Sequence, residues 1–415
     1  MKKISTSMYR RVILVSLFIL MCNLVLAQKD TGFFKVPYDT STSKLNMDAV
    51  YNRPFLTHKK VPVAVGGYLE ANSIYTINDG ITDGLSFQAR RLTLFLSSSI
   101  KNRLKFLTEL EFEDGTKEIA IEFAALDLTI HPLLNFRGGI IMNPIGAFNQ
   151  NHDGPKWEFV ERPDVSTGIV PATWSNAGFG IYGKTNKNNW VFGYELYVSN
   201  GFDDRIIDNE ENKTYLPASK DTEERFEENN SGLPMISGKV AIKNRKFGEI
   251  GLSYMGGVYN KFEADGLMLD KKRRVDVAAF DLNFTIPKIN TNIIGEAVYA
   301  YIDVPGSYTQ QFGESQWGMF VDFVQPVYRP KWFKWENSTL NLAMRFDYVD
   351  WNMGMFNGTT TLIGDNLMAI TPAVSFRPSP QTVFRLNYRY SWQKDIVNNP
   401  AALSSSWIFG FSTYF

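Results

Sequence analysis

Seven basic residues set the chemistry open to this chain: Arg91, Lys105, Arg137, Lys239, Arg345, Arg385 and Arg389. They come from six stretches in which apolar and polar residues alternate, and each falls on the polar side. In residues 339–350, Leu340, Leu342, Met344, Phe346 and Tyr348 share one face, and Asn341, Ala343, Arg345, Asp347 and Val349 the other. In residues 382–392, Phe384, Leu386, Tyr388, Tyr390 and Trp392 oppose Val383, Arg385, Asn387, Arg389 and Ser391. Side chains alternate across a strand with period two, so these are strands with one apolar face and one charged face. Rings of Arg or Lys set selectivity in anion and phosphate pores. The planar guanidinium fork also matches phosphate or carboxylate oxygens. Glu109, Glu111, Glu296 and Asp347 share the charged face, so pairing within the ring would weaken its field.

Other constellations carry less. Gly178-Phe179-Gly180-Ile181-Tyr182-Gly183 matches GxGxxG, but it opens a short strand before a tight turn, where a dinucleotide site needs a following helix. No GxSxG is present, and the three histidines, His58, His131 and His152, share no metal-ligand spacing. The acidic run within residues 200–235, which includes Asp203, Asp204, Asp208, Glu210 and Glu211, reads as a solvated loop or a divalent-cation site. Neither catalysis nor a cofactor is expected. The 43 basic and 43 acidic residues cancel, so no general attraction to nucleic acid follows.

The elements that hold these side chains read as a closed sheet. Residues 12–27 form an apolar run behind Lys2, Lys3, Arg10 and Arg11, a secretory signal peptide with cleavage expected after Ala27. The single cysteine, Cys22, lies inside it, so disulfides and cysteine-ligated metals are not expected beyond it. Residues 28–62 are polar and proline-punctuated, a periplasmic lead-in expected to be partly ordered at best. From residue 63 to residue 415, sixteen alternating segments of about ten residues follow one another, the length a membrane-crossing strand needs. Short connections, such as 101–103 and 377–381, alternate with long ones, such as 76–86, 143–177 and 200–235. A transmembrane antiparallel β-barrel has that rhythm: short periplasmic turns and long outer loops. A charge on the lipid face costs roughly 2–4 kcal/mol at mid-bilayer, so the seven basic residues should point inward. The last segment, residues 405–415, puts Trp407, Phe409, Phe411 and Phe415 on one face, and should pair with residues 63–75 to close the ring. Trp392 and Trp407 should lie together in an outer aromatic belt.

The loop over residues 143–177 carries Pro144, Pro155, Trp157, Phe159, Pro163, Pro171 and Trp174. Such apolar content suits a loop that folds into the lumen, or one packed over the mouth or against a neighbouring subunit. Around it stand Phe136-Arg137-Gly138-Gly139-Ile140-Ile141-Met142-Asn143-Pro144-Ile145-Gly146 and Phe159-Val160-Glu161-Arg162-Pro163, then Asn176-Ala177-Gly178-Phe179-Gly180. With Arg90-Arg91-Leu92, Gly238-Lys239-Val240 and Arg345-Phe346-Asp347-Tyr348, these stretches resemble the phosphate-selective porin O and P family of Gram-negative outer membranes. The resemblance implies a sixteen-stranded passive channel for phosphate or other anions, typically trimeric, and its terminal Phe415 resembles a signal read by the barrel-assembly machinery. The expectation is an outer-membrane porin for small hydrophilic solutes with an anion preference. A transporter for hydrophobic compounds, an outer-membrane lipase, or a structural or adhesive surface barrel are the alternatives.

Overall fold

The computed structural model describes residues 33–35, 44–58, 63–100, 103–115, 117–308, 313–330, 337–356 and 358–415. The expected signal peptide lies outside them. Sixteen antiparallel strands form one closed ring. We number them β1 Val63–Asn78, β2 Ile81–Ile100, β3 Leu104–Glu113, β4 Glu118–His131, β5 Leu134–Met142, β6 Ser175–Lys187, β7 Trp190–Ser199 and β8 Met235–Asn244. The ring continues with β9 Gly248–Val258, β10 Arg274–Ile286, β11 Thr291–Ile302, β12 Ser315–Tyr328, β13 Thr339–Met353, β14 Asn366–Ser379, β15 Thr382–Gln393 and β16 Ala402–Tyr414. Each strand pairs with its sequence neighbours, and β16 pairs with β1 from Ser404 opposite Asn78 to Tyr414 opposite Tyr68. The Phe415 N–H donates to the Gly67 carbonyl at 3.0 Å, extending the seam to the last residue. Closure leaves no free edge to recruit another chain.

The alternation sorts side chains as the period requires. Phe179, Leu196, Val240, Leu252, Leu342, Leu386, Trp407 and Phe409 stand exposed on the outside. Residues at the alternate positions of these strands, including Arg345, Arg385, Asn387, Ile408 and Ser412, are buried inside. No helix among the described residues is long and apolar enough to cross a membrane.

One connection differs from its expected length. Residues 76–86 are expected as a long loop, whereas β1 and β2 continue through them to a two-residue turn at Asp79-Gly80. Both residues take positive φ, 49° and 84°. Asp-Gly is the dipeptide that a primed hairpin turn selects, because its twist matches the flanking strands. Trp407 packs on Tyr388 and Trp392 on Tyr390. Opposite Trp392 stands Leu403, four residues from Trp407, so the two tryptophans sit at different heights.

Candidate functional site: the filled lumen

The lumen holds a core. Residues 143–174, between β5 and β6, lie inside the ring, with Ile145, Phe148, Trp157, Val165, Ile169, Val170 and Trp174 buried. They pack on an apolar strip of the wall made by Met255, Val275, Val277, Val298, Ala300, Phe320, Val349 and Trp351. Phe148 meets Trp157 at 4.7 Å between ring centroids, and Trp157 meets Phe320 edge-on at 6.2 Å. Two short turns of 3-10 helix and one helical turn, Val165–Gly168, are all the regular structure this stretch has. Its backbone therefore needs partners elsewhere, since buried N–H and C=O groups cannot stay unpaired cheaply.

The charged wall supplies many of those partners. Glu296 accepts from the Ala147 and Phe148 amides at 2.6 and 3.0 Å. Lys239 donates to the Gly146 carbonyl at 2.6 Å. Arg385 donates to the Phe159 carbonyl at 2.7 Å, and Arg345 to that of Glu161 at 2.8 Å. Asn387 accepts from the Val160 amide at 2.7 Å. The loop thus owes its conformation to wall residues 93 to 227 positions away in sequence.

All seven sequence-selected residues face inward, and all are engaged. Arg91 meets Glu113 at 2.7 Å and Glu111 at 3.2 Å. Lys105 donates to the Tyr51 carbonyl at 3.1 Å. Arg137 grips Asp127 with Nε and Nη2, at 2.6 and 3.1 Å, and reaches the Tyr197 hydroxyl at 2.7 Å. Lys239 stands 2.6 Å from Asp281. Arg345 forks onto Asp322 at 2.6 and 2.7 Å. Arg385 lies 3.5 Å from Glu70, and Arg389 donates to Asp164 at 2.8 Å. They do not converge on one spot. They are distributed around the ring, and each works on a carboxylate, a loop carbonyl or the N-terminal segment.

That segment was invisible as a site in the sequence. Residues 44–55, expected in a loosely ordered lead-in, are packed inside one end of the barrel, with Leu45, Met47, Val50, Tyr51 and Phe55 buried. The Asn46 amide donates to Glu249 at 2.9 Å, Asp48 pairs with Lys184 at 2.7 Å, and the Val50 amide donates to the Gln150 carbonyl at 3.1 Å. Tyr51 lies under the Arg137 guanidinium, 3.4 Å from Cζ to the ring centroid. The polar composition of residues 28–62 conceals five apolar anchors spaced closely enough to fill a lumen end.

Arg53 is the centre of this packing. Its Nε and Nη2 donate to the two oxygens of Asp153 at 3.0 and 2.5 Å, and its Nη1 to Glu109 at 2.7 Å. His152 Nε2 lies 3.2 Å from Nη2, and the Phe95 ring centroid lies 4.0 Å from Cζ. Tyr414 of β16 donates its hydroxyl to Asp153 at 2.6 Å. Glu109, His152 and Asp153 are the one trio among the described residues whose ligand atoms lie as close as a metal needs, within 4.8 Å of one another. The Arg53 guanidinium already takes both Asp153 oxygens, so the donor set does not fit a resident metal. Sequence spacing offered no signal for this trio, because Glu109 and His152 meet only through the loop's inward fold.

The two ends differ. At the end carrying the short turns, a cavity of about 360 Å³ is lined by Lys44, Lys156, Lys243 and Arg377, with asparagines and Tyr414 and no carboxylate. At the other end, residues 200–234 cover the mouth. Phe202 packs edge-on against Trp174 at 5.6 Å, and Ile206, Ile207 and Leu216 join the interior cluster. Among the described residues, no three carboxylates of this acidic loop converge as a cation site requires.

Comparisons with known proteins agree on the architecture. An anion-selective porin from Comamonas acidovorans superposes with a TM-score of 0.53 at 11% identity, over 85% of this chain and 99% of that one. OmpF of Salmonella typhi, in complex with daunomycin, gives 0.52 at 8% identity, over 85% and 97%. The trimer form of OmpT, an outer-membrane protein of Vibrio cholerae, gives 0.50 at 11% identity, over 86% and 100%. An uncharacterised protein of Aquifex aeolicus is 36% identical over 150 residues, which is 34% of this chain and 33% of that protein. No family model matches the chain. At these identities the solved structures establish the fold: a sixteen-stranded barrel of the outer-membrane porin type.

Proposed function

We propose that this chain is an outer-membrane channel through which small hydrophilic solutes diffuse, held here with its lumen constricted. The observation that carries this reading is the sorting of the ring, with an apolar exterior suited to lipid around a polar and charged interior. The short turns then face the periplasm, and the covered mouth faces outward. An anion preference, phosphate included, rests on the cavity at the turn end, whose lining carries Lys44, Lys156, Lys243 and Arg377 and no carboxylate, with Lys156, Lys243 and Arg377 paired to Asp153, Glu249 and Glu158 set behind it. The inner ring adds little to it, because its bases are matched by Asp127, Asp281, Asp322, Glu111 and Asp164. Homotrimeric assembly is part of the proposal, supported by the trimeric form of one structural neighbour.

Planar-bilayer recordings test it. Discrete conductance steps are expected, with reversal potentials in KCl gradients that favour chloride and shift further when phosphate replaces it. Cation preference would sink the anion reading and leave the channel reading standing. A second reading, a transporter for hydrophobic compounds, is favoured by the apolar strip of the wall from Met255 to Trp351. Uptake of an alkyl-chain dye by vesicles carrying the protein, without ion conductance, would select it.

A further inference from the structure

We propose that the lumen contains a binding site for guanidinium-bearing solutes, formed by Asp153, Glu109, His152 and the Phe95 ring, and that Arg53 of the chain's own N-terminal segment occupies it in this structure. This goes beyond the channel reading and does not depend on conduction.

The occupant shows what the site selects. Both oxygens of Asp153 and one of Glu109 take three of the five guanidinium donor positions, in the planar geometry that a fork of N–H groups matches and an ammonium does not. The aromatic face at 4.0 Å adds a cation–π contact, which strengthens when water is excluded. Every one of these partners belongs to the wall or the loop: Phe95 to β2, Glu109 to β3, His152 and Asp153 to the loop. Only the guanidinium belongs to the segment. The groups that grip the guanidinium are therefore all held by the wall and the loop, while the segment also touches the recess through Val50 at Gln150 and Phe55 at Phe95.

A second observation points to a ligand. The remaining Glu109 oxygen, Oε1, is fully buried and accepts no hydrogen bond among the described residues, 3.6 Å from His152 Nε2. An acceptor is left over that a solute with its own donors could use. Charge gives the same answer. Without Arg53, the carboxylates of Asp153 and Glu109 face the single ammonium of Lys156, 3.1 Å from Asp153. A buried, uncompensated carboxylate is costly, so the vacated recess favours a cation.

The route in is also visible. Lys156 and Tyr414 both touch Asp153 and both line the cavity at the turn end, which Leu45, Asn46 and Ala49 of the segment also line. A solute arriving there competes with a tethered arginine. Tethering gives a competitor an effective concentration of order millimolar, so the intact chain should bind an external guanidinium weakly.

Isothermal titration of methylguanidinium into the purified full-length protein in detergent tests this, with urea as the neutral planar control. Arg53→Gly should bind methylguanidinium one to one, at least tenfold more tightly than the unaltered chain, and should not bind urea. Adding Glu109→Gln to Arg53→Gly should weaken binding at least tenfold. Equal binding to Arg53→Gly and the unaltered chain, equal response to urea, or indifference to Glu109→Gln overturns the proposal. Folding is checked by the heat-dependent gel mobility of barrels. Should Arg53→Gly fail to fold, Arg53→Lys keeps a charge and loses the fork. It should then bind methylguanidinium more tightly than the unaltered chain, and binding no tighter overturns the proposal.

Discussion

Replacing Arg345 with alanine probes whether the interior is a packed core or a water-filled passage. Arg345 holds Asp322 with two hydrogen bonds of 2.6 and 2.7 Å, and the two side chains are 2% and 1% exposed. It also caps the Glu161 carbonyl and lies 4.3 Å over the Phe159 ring. Truncation leaves a buried carboxylate without its partner, which costs about 3–5 kcal/mol when water cannot reach it. The same truncation at a hydrated pair costs less than about 1 kcal/mol. The two regimes are well separated, so the experiment discriminates. Urea unfolding from lipid vesicles, followed by tryptophan fluorescence, should report a loss in the upper range for Arg345→Ala. Adding Asp322→Asn should recover much of it, because the stranded charge is gone. A loss below about 1 kcal/mol, or no recovery in the double variant, would show that water screens the pair and would refute the packed lumen.

Three further outcomes follow from the same packing. Deleting residues 44–55 should raise single-channel conductance several-fold in planar bilayers, and unchanged conductance would remove the segment from the conduction path. In the loop over residues 200–234, burial pushes the Asp203 carboxyl from its ordinary 3.8 up to about 6. The folded loop therefore holds this proton more tightly than the unfolded chain, and the stability it contributes is full below pH 4 and lost as pH rises through about 6. Limited proteolysis of residues 200–234 should be slower at pH 5 than at pH 7, and Asp203→Asn should abolish the difference. Deleting Phe415, whose amide ends the β16–β1 seam, should lower the fraction of protein reaching the heat-modifiable folded form in outer-membrane preparations.

The ring was legible because its signal is local. Alternation in residues 339–350 and 382–392 needs only neighbouring side chains, and the lipid exterior makes every inward charge declare its side. The lengths of connections were less so. Asp79-Gly80 is a strong turn signal, but it stands among polar residues that suit a loop equally well. The interior was the least legible. That Arg345 faces inward follows from alternation, whereas its partner Asp322 lies on another strand, and the loop carbonyl it caps lies 184 positions away. Arg53 had no periodic context at all. Its role rests on Glu109, 56 residues on, and Asp153, 100 residues on, which sequence spacing cannot bring together.

Where Arg53, Asp153 and Tyr414 meet, three distant parts of the chain share one carboxylate: the leading segment, the inward loop and the final strand. The closing strand must find its register on β1 across an interval of more than three hundred residues, a slow search for any chain. An Asp153 already fixed by Arg53 offers Tyr414 a landmark inside the half-formed ring. A one-residue slip would turn Tyr414 outward and forfeit that bond. The filling of the lumen and the last strand of the wall are thus pinned to each other at a single carboxylate.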